Sequence, residues 1–322
     1  ADGQLLLRRC VEWAAGESQS VETGEVPTLL ALYEFEQVEV APTLAGRWQL
    51  DETGAGYAGA VQVADDIDLY DGAYIDAYDA SAGAYGGTNL QLNVRVFTNT
   101  TNSGDVYLNS STIYGDVIVG TGGNPSSVIS TSSGGSVTGN TSAQSQNASI
   151  PSYDAPSGSF GSSLGNKTYS GNGNSETWSS NKRFNDLTIK SNATITISGD
   201  VSVLVQDDFD MNNGTIVLNP GATLVLWVGS KFDMSNGSSI NNDTTRPGDV
   251  QILLYGNSIS DDFTMYDSII VGTIHSADDV RLYNGSAIYG SLTNEDDLML
   301  DDSALHVELS TSPPDAGGST PP

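Results

Sequence analysis

A six-residue line recurs eight times along the chain, and it restricts the fold more than any other feature. It reads apolar, polar, apolar, any residue, then a turn pair. Ile67–Gly72, Val106–Ser111, Leu187–Asn192, Phe209–Gly214, Phe232–Gly237, Phe263–Ser268, Val280–Gly285 and Leu298–Ser303 all follow it. From Leu187 onward the starts are separated by roughly 17 to 31 residues, in or near the range of structural repeats.

Each line is a short strand, a corner and the start of a second strand. Alternation puts Phe263 and Met265 on one face and Thr264 on the other. Asn-Gly, Asp-Ser and Ser-Asn pairs tolerate the positive backbone angles of a sharp corner. A unit of about 20 residues cannot bury its apolar side alone, but stacked units can, strand over strand at about 4.8 Å. The expected fold is therefore all-β: a right-handed parallel β-helix (solenoid) with an N-terminal helix and strand cap. A doubly wound α/β fold would need a helix of ten or more residues between strands, and no helical period occurs between residues 50 and 310. A β-sandwich would need longer, evenly spaced strands.

Three regions are expected. Residues 1–55 hold one helix, ending near Gly16, followed by two or three strands. Leu6, Cys10 and Trp13 share a face of that helix, with Leu7 beside them. Residues 56–309 form the parallel β-helix. Within it, 121–180 loses the pattern and reads as a low-complexity excursion or as weak coils with small inward residues, and Gln144–Ser159 reads as a loop. Residues 310–322, with Pro313, Pro314, Pro321 and Pro322, form a tail. The ends of a parallel stack are open sheet edges that need cover. Region 1–55 supplies it as a cap, as a contact to a neighbouring subunit, or both. The expected subunit contact joins Leu6, Leu7, Cys10 and Trp13 at one end to Leu305, Val307 and Leu309 at the other.

Forty acidic and 11 basic residues give a net charge of −29. That excludes a nucleic-acid partner, which needs a basic face, and an anionic membrane surface. Cys10 is the single cysteine, so no intrachain disulfide forms. No apolar run is long enough to span a bilayer. These features fit an extracellular or bacterial cell-surface protein.

Acidic pairs precede the repeated strand: Asp65-Asp66, Asp207-Asp208, Asp261-Asp262, Asp278-Asp279 and Asp296-Asp297, with Asp105 and Asp186 in the same place singly. Stacked in register they form a column of mutually repelling carboxylates. Calcium, a hard cation with oxygen ligands, would neutralise it, held by Asp207, Asp208, Asp261, Asp262, Asp278, Asp279, Asp296 and Asp297. The competing reading is favoured, because no EF-hand or glycine-rich calcium loop is present. In it each Asp accepts backbone N–H bonds at its own corner. No other cofactor is expected.

Arg281 near Asp278 and Asp279 would suit a polysaccharide lyase, and acidic pairs could serve a glycosidase. A site for acidic sugar wants clustered basic residues, and the chain has few, so it is read as no enzyme. His275 and His306 lack metal spacing and read as corner or groove residues. Tyr70, Tyr74, Tyr78, Tyr85, Tyr107, Tyr114, Tyr266, Tyr283 and Tyr289 lie at or near the repeats. They read as cross-strand ladders or, on the alternative, as stacking surfaces for polysaccharide.

The block Val250–Gly256, Phe263–Met265, Ile270–His275 and Val280–Leu292 resembles the C-terminal β-helix domain of bacterial envelope proteins linked to pilus assembly, of the PilX-like kind. The resemblance covers Phe184–Leu309. It implies a cell-surface structural part and supplies no catalytic residues. The expected function is a structural subunit of a fibre, pilus-like appendage or layer, a homopolymer built by end-to-end docking. The alternatives are a monomeric adhesin or carbohydrate- or calcium-binding module, and a lyase.

Overall fold

The computed structural model describes residues 60–156, 160–171, 173–256 and 262–309. The chain divides into two units, Ala1–Trp48 and Gln49–Pro322, and every described residue belongs to the second. The expected N-terminal helix and strands, with Leu6, Leu7, Cys10 and Trp13, lie outside the described residues, as do Asp261 and the 310–322 tail.

The described unit is nearly all β. Its N-terminal part contributes β1 (Ala60–Val63), β2 (Ile67–Tyr70), β3 (Tyr74–Tyr78), β4 (Val94–Thr98), β5 (Val106–Asn109), β6 (Thr112–Ile113), β7 (Gly115–Val119), β8 (Ile129–Ser132), β9 (Ser136–Val137) and β10 (Thr141–Ala143). The C-terminal part begins with β11 (Lys167–Ser170), β12 (Ser175–Trp178), β13 (Lys182–Phe184), β14 (Leu187–Lys190), β15 (Thr194–Ile197), β16 (Asp200–Val205), β17 (Phe209–Asn212), β18 (Thr215–Leu218) and β19 (Thr223–Val228). It continues with β20 (Phe232–Ser235), β21 (Ser239–Ile240), β22 (Val250–Leu254), β23 (Phe263–Tyr266), β24 (Ile269–Ser276), β25 (Val280–Tyr283), β26 (Ala287–Asn294), β27 (Leu298–Asp301) and β28 (Ala304–Glu308). Among the described residues the one α-helix is α1 (Pro125–Val128), a single turn opened by the Asn124 side chain. No helix long enough for a doubly wound crossover is among them.

Every strand-to-strand ladder is parallel. The ten-stranded sheet runs β11-β14-β17-β20-β23-β25-β27-β2-β5-β8. In the other sheet two ladders run side by side: one joins β12, β15, β18, β21, β24, β26, β28, β3, β6 and β9. The other joins β13, β16, β19, β22, β24, β26, β1, β4, β7 and β10. One strand position from each of the three ladders makes a tier, numbered 1 (β11, β12, β13) to 10 (β8, β9, β10). The eight-residue strands β24 and β26 serve two ladders each.

Local chemistry explains a tier. In β20, Phe232 and Met234 are fully buried while Asp233 and Ser235 are partly exposed. The corner that follows needs a left-handed residue, and Asn213, Asn236 and Asn284 take φ of 55°, 57° and 54° there. Stacking in register then lays like on like. Phe209, Phe232 and Phe263 form an inner column, with Phe232 and Phe263 rings 4.1 Å apart and 3° from parallel. Where β26 passes from one ladder to the next, Gly290 lies against β24, and a Cβ there would sit 1.9 Å from the Gly272 carbonyl oxygen.

The order of the tiers is not the order of the chain. The C-terminal part rises from tier 1 to tier 7, and the N-terminal part continues from tier 7 to tier 10. β27 is flanked by β25 and β2, and β28 by β26 and β3. Tier 7 is composite: Val307 of β28 pairs with Gly290, and Val61 of β1 pairs with Leu292. A single residue, Ser291, therefore spans the junction between the two parts.

Within the single chain the C-terminal residues expected at the subunit contact are not an open end. Leu305 and Val307 are fully buried, between Ile288 and Ile75 and between Gly290 and Ala77 respectively. Leu309 packs on the core and its N–H donates to the Tyr78 carbonyl. The N-terminal repeats cover the edge that 298–309 would otherwise leave open.

The pattern-poor stretch 121–180 resolves into three pieces. Residues 129–143 form tier 10 with small or polar strands, residues 167–178 begin tier 1, and the described residues of 144–166 carry no strand. That last segment returns from tier 10 to tier 1. Gln144 Nε2 donates to the Thr98 carbonyl and Asn99 bonds to Ala148 in tier 8. The Tyr153 ring meets His275 and Trp227, at 4.4 and 6.3 Å, in tiers 5 and 3. Leu164 N–H reaches the Arg183 carbonyl in tier 1.

Phe232→Ala removes the middle ring of the column. A loss of about 3–5 kcal/mol is expected, read as a lower urea midpoint; an unchanged midpoint would show that the column is not under packing load.

Candidate functional site

The corner before each strand of the ten-stranded sheet carries an acid in most tiers. In stacking order these are Asp186, Asp207 and Asp208, then Asp262, Asp278 and Asp279, Asp296 and Asp297, Asp65 and Asp66, and Asp105. Lys231 replaces the acid in tier 4 and pairs with Asp233 at 2.7 Å. The ridge crosses the join between the two parts of the chain, so Asp296 and Asp297 meet Asp65 and Asp66.

Carboxylate oxygens converge in three places. Those of Asp65, Asp296 and Asp297 lie within 4.8 Å of one another, as do those of Asp65, Asp66 and Asp105, and those of Asp262, Asp278 and Asp279. The third group holds its own cation: Arg281 bonds Asp262 at 2.5 Å and also Asp279. Burial, then repulsion from Asp105, Asp297 and Asp65, pushes the Asp66 carboxyl up to about 7. Burial and the Asp279 and Asp297 charges raise Asp296 to about 6. Asp297 is also raised by burial, against the backbone N–H it accepts from Asp66.

Residues 183–307 match a family described as a domain of unknown function (DUF7305). No curated protein and no solved structure matches the chain. The matched stretch runs from β13 to β28, the part that climbs tiers 1 to 7 in order, and stops at the join.

Of the acids expected to hold a metal, Asp262, Asp278, Asp279, Asp296 and Asp297 fall in convergent groups. Asp207 and Asp208 do not, and Asp261 lies outside the described residues. The groups at the join are completed by Asp65, Asp66 and Asp105, which belong to the same column but come from the opposite end of the chain. Much of the backbone bonding passes between tiers rather than within a corner. Asp297 Oδ1 accepts from Asp66 N at 3.0 Å, Asp279 Oδ1 from Asp297 N at 3.2 Å, and Asp208 Oδ1 from Lys231 N at 3.4 Å. Own-corner bonding is seen at Asp278, which accepts from Asp279 N at 2.8 Å.

Both histidines are buried inside strands, not at corners or in a groove. His306 Nδ1 lies 2.7 Å from Asp76 Oδ1, and Tyr85 donates to the other Asp76 oxygen at 2.7 Å. The His306 ring is held between Tyr289 and Tyr85, at 4.4 and 4.0 Å. His275 sits 3.0 Å from both Thr293 Oγ1 and Glu295 Oε1. Asp76 and His306 are each 2% exposed, so their reacting atoms face protein. The other tyrosines also pack on one another: Tyr266 and Tyr283 stack at 4.6 Å and 11°, and Tyr70 meets Tyr107 edge-on at 5.7 Å. Each of these rings packs on a ladder neighbour, while Tyr266 stays exposed.

The raised carboxyls set a pH dependence. A carboxyl whose folded pKa exceeds its unfolded value favours folding below the unfolded value, and that stability is lost as pH rises through the folded one. Thermal stability at low salt is therefore expected to fall between about pH 4 and about pH 7, and Asp66→Asn to flatten the slope. A melting temperature that climbs across this window in the parent protein would contradict the electrostatic account.

Proposed function

We propose that the described unit is a parallel β-helix, right-handed as parallel crossover connections almost always are. We read the protein as a structural subunit of an extracellular or cell-surface assembly, built by end-to-end docking of such units with themselves. One observation carries the reading: among the described residues neither terminal tier has a strand on its outer face, where only Leu164 and Gly165 bond to the edge of β13. Among the described residues β8, β9 and β10 pair with β5, β6 and β7 alone, and β11, β12 and β13 with β14, β15 and β16 alone. Strand edges of that kind recruit further strands.

Charge supports the same axis. At −29 two copies repel over most of their surface. Residues 117–153, which include tier 10, contain no charged residue. Residues 160–190, which include tier 1, carry four basic residues (Lys167, Lys182, Arg183, Lys190) and two acidic ones (Glu176, Asp186), a local excess of two positive charges. An uncharged tip against a mildly basic tip is the contact this chain can make without setting acid against acid. Contacts of that heterologous kind do not close and grow filaments. The pilus-like resemblance of the C-terminal part agrees with such a role. The reading assigns no catalysis, because Arg281 is held by Asp262 and Asp279 and the buried histidines are held by their neighbours.

A second reading, compatible with the first, is calcium binding by the ridge. The carboxylates at the join, Asp65 with Asp296 and Asp297 and with Asp66 and Asp105, favour it. Three oxygens supply part of the six to eight that calcium takes, the rest coming from water and carbonyls.

Electron microscopy of concentrated protein should show filaments with a repeat of about 48 Å, ten strand spacings; dispersed particles at every concentration would count against docking. Calcium should raise the melting temperature above the effect of sodium chloride at equal ionic strength. Asp65→Asn should abolish that difference; a calcium effect no larger than that of sodium would remove the ion from the account.

A further inference from the structure

The join lies between tiers 7 and 8 in two ladders and between tiers 6 and 7 in the third, where β1 meets β26, and no covalent bond links the paired strands across it. Its pairings are ordinary ones: Ile67 to Tyr70 of β2 on Leu298 to Asp301 of β27, Tyr74 to Tyr78 of β3 on Ala304 to Glu308 of β28, and Val61 to Val63 of β1 on Leu292 to Asn294 of β26. Within one molecule the two parts are linked by segment 144–166 alone. That segment must travel back nine strand spacings, about 43 Å, to carry the chain from tier 10 to tier 1.

We propose that this join is an exchange joint for a second copy of the chain: residues 60–143 of one copy stack on residues 167–309 of another. The inference rests on the end-to-end reading above and deepens it. In the exchanged fibre each chain climbs the stack in sequence order. Tiers 8, 9 and 10 come first, then its own tiers 1 to 7, then tier 8 of the next copy. Segment 144–166 then bridges about one spacing, about 4.8 Å, instead of nine. The tier 10 and tier 1 edges, which carry no outer strand among the described residues of the closed molecule, meet each other once Leu164 and Gly165 leave the edge of β13. Every pairing at the join is kept, because the same strands meet in the same register whichever copy supplies them.

Two further features mark this step as the one that opens. The strand junction in tier 7 is already broken, with Val307 and Val61 on either side of the position facing Ser291. Buried polar atoms without a protein partner gather on its strands: both amide atoms of Gln62 on β1, the Ser291 hydroxyl on β26 and the Tyr78 hydroxyl on β3. Unsatisfied groups of this kind weaken the step that buries them. What ties the two parts in the closed form is the return segment: Asn99 with Ala148 and Thr121 with Asn147 fix its start to the N-terminal part, and the Tyr153 ring packs on His275 and Trp227 of the C-terminal part. Intramolecular closure wins in dilute solution, and exchange takes over as protein concentration passes the effective concentration set by the segment.

The test uses full-length chains carrying Cys10→Ser. Tyr70 and Asp301 are register partners across the join, half-buried on the outer face, at a separation that a disulfide spans. One chain receives Tyr70→Cys and a second, distinguishable by a mass tag, receives Asp301→Cys. The two are unfolded together, refolded at high protein concentration and oxidised. A chain with both substitutions, refolded dilute, should form the link within itself and confirms the geometry. In the mixture the expected result is a disulfide between the two different chains, concentrated in the filament fraction. Filaments without that link would overturn the exchange while leaving tip docking intact. Neither filaments nor link would overturn both.

Discussion

In-register parallel pairing is the constraint on which the rest of this structure depends. It makes each residue sit above its counterpart in the next tier, so whatever the repeat line specifies is multiplied into a column. Where the line specifies Phe or Met, the column is a dense core, and the near-parallel rings of Phe232 and Phe263 are its clearest expression. Where the corner before the line specifies Asp, the same rule collects like charges and forces several carboxyls toward their neutral form. The acidic ridge and the aromatic column are thus two outcomes of one geometry, favourable inside and unfavourable outside. Arg281 and Lys231 interrupt the ridge where a positive charge was available.

The tier itself was legible in the sequence. Alternation marked the buried couplets, and Asn-Gly and Asp-Ser pairs marked the corners that adopt left-handed backbone. The order of the tiers was not. A parallel edge offers the same row of N–H and C=O groups at every level, so nothing in Leu298–Ser303 says that Ile67–Gly72 will lie on it. This is why Leu305 and Val307 read as an exposed end and are interior, and why Asp65 and Asp66, though expected in the same column, were not set next to Asp296 and Asp297. Asp76 and His306, 230 positions apart, were unpaired on paper for the same reason. The tip at 129–143 was ambiguous for a different cause: an end tier has half a core to fill, and Ser, Thr and Ala fill it without a period that stands out.

The composite tier changes how the repeats divide the labour. The stretch shared with the unknown-function family ends at the join. The N-terminal repeats act on it as a cover that completes its last turn with β1 and extends it by three more. On the assembly proposed above, cover and coupling are the same surface, used either by the chain's own repeats or by a neighbour's. The lack of charge at 117–153 and the basic excess at 160–190 then become parts of one device, since in a strongly acidic chain these are the places where approach is not opposed.

Among the described residues the ladders begin at Ala60 and the last backbone bond is that of Leu309, both in tier 7. Tension applied through the segments on either side of the described unit would therefore enter and exit at one level. It would pull β1 off β26 and β28 off β3 by peeling, one hydrogen bond after another, while the levels beyond carried no load. A tether placed there makes the stack mechanically weak at its waist and leaves both tips slack, free to turn toward whatever they meet.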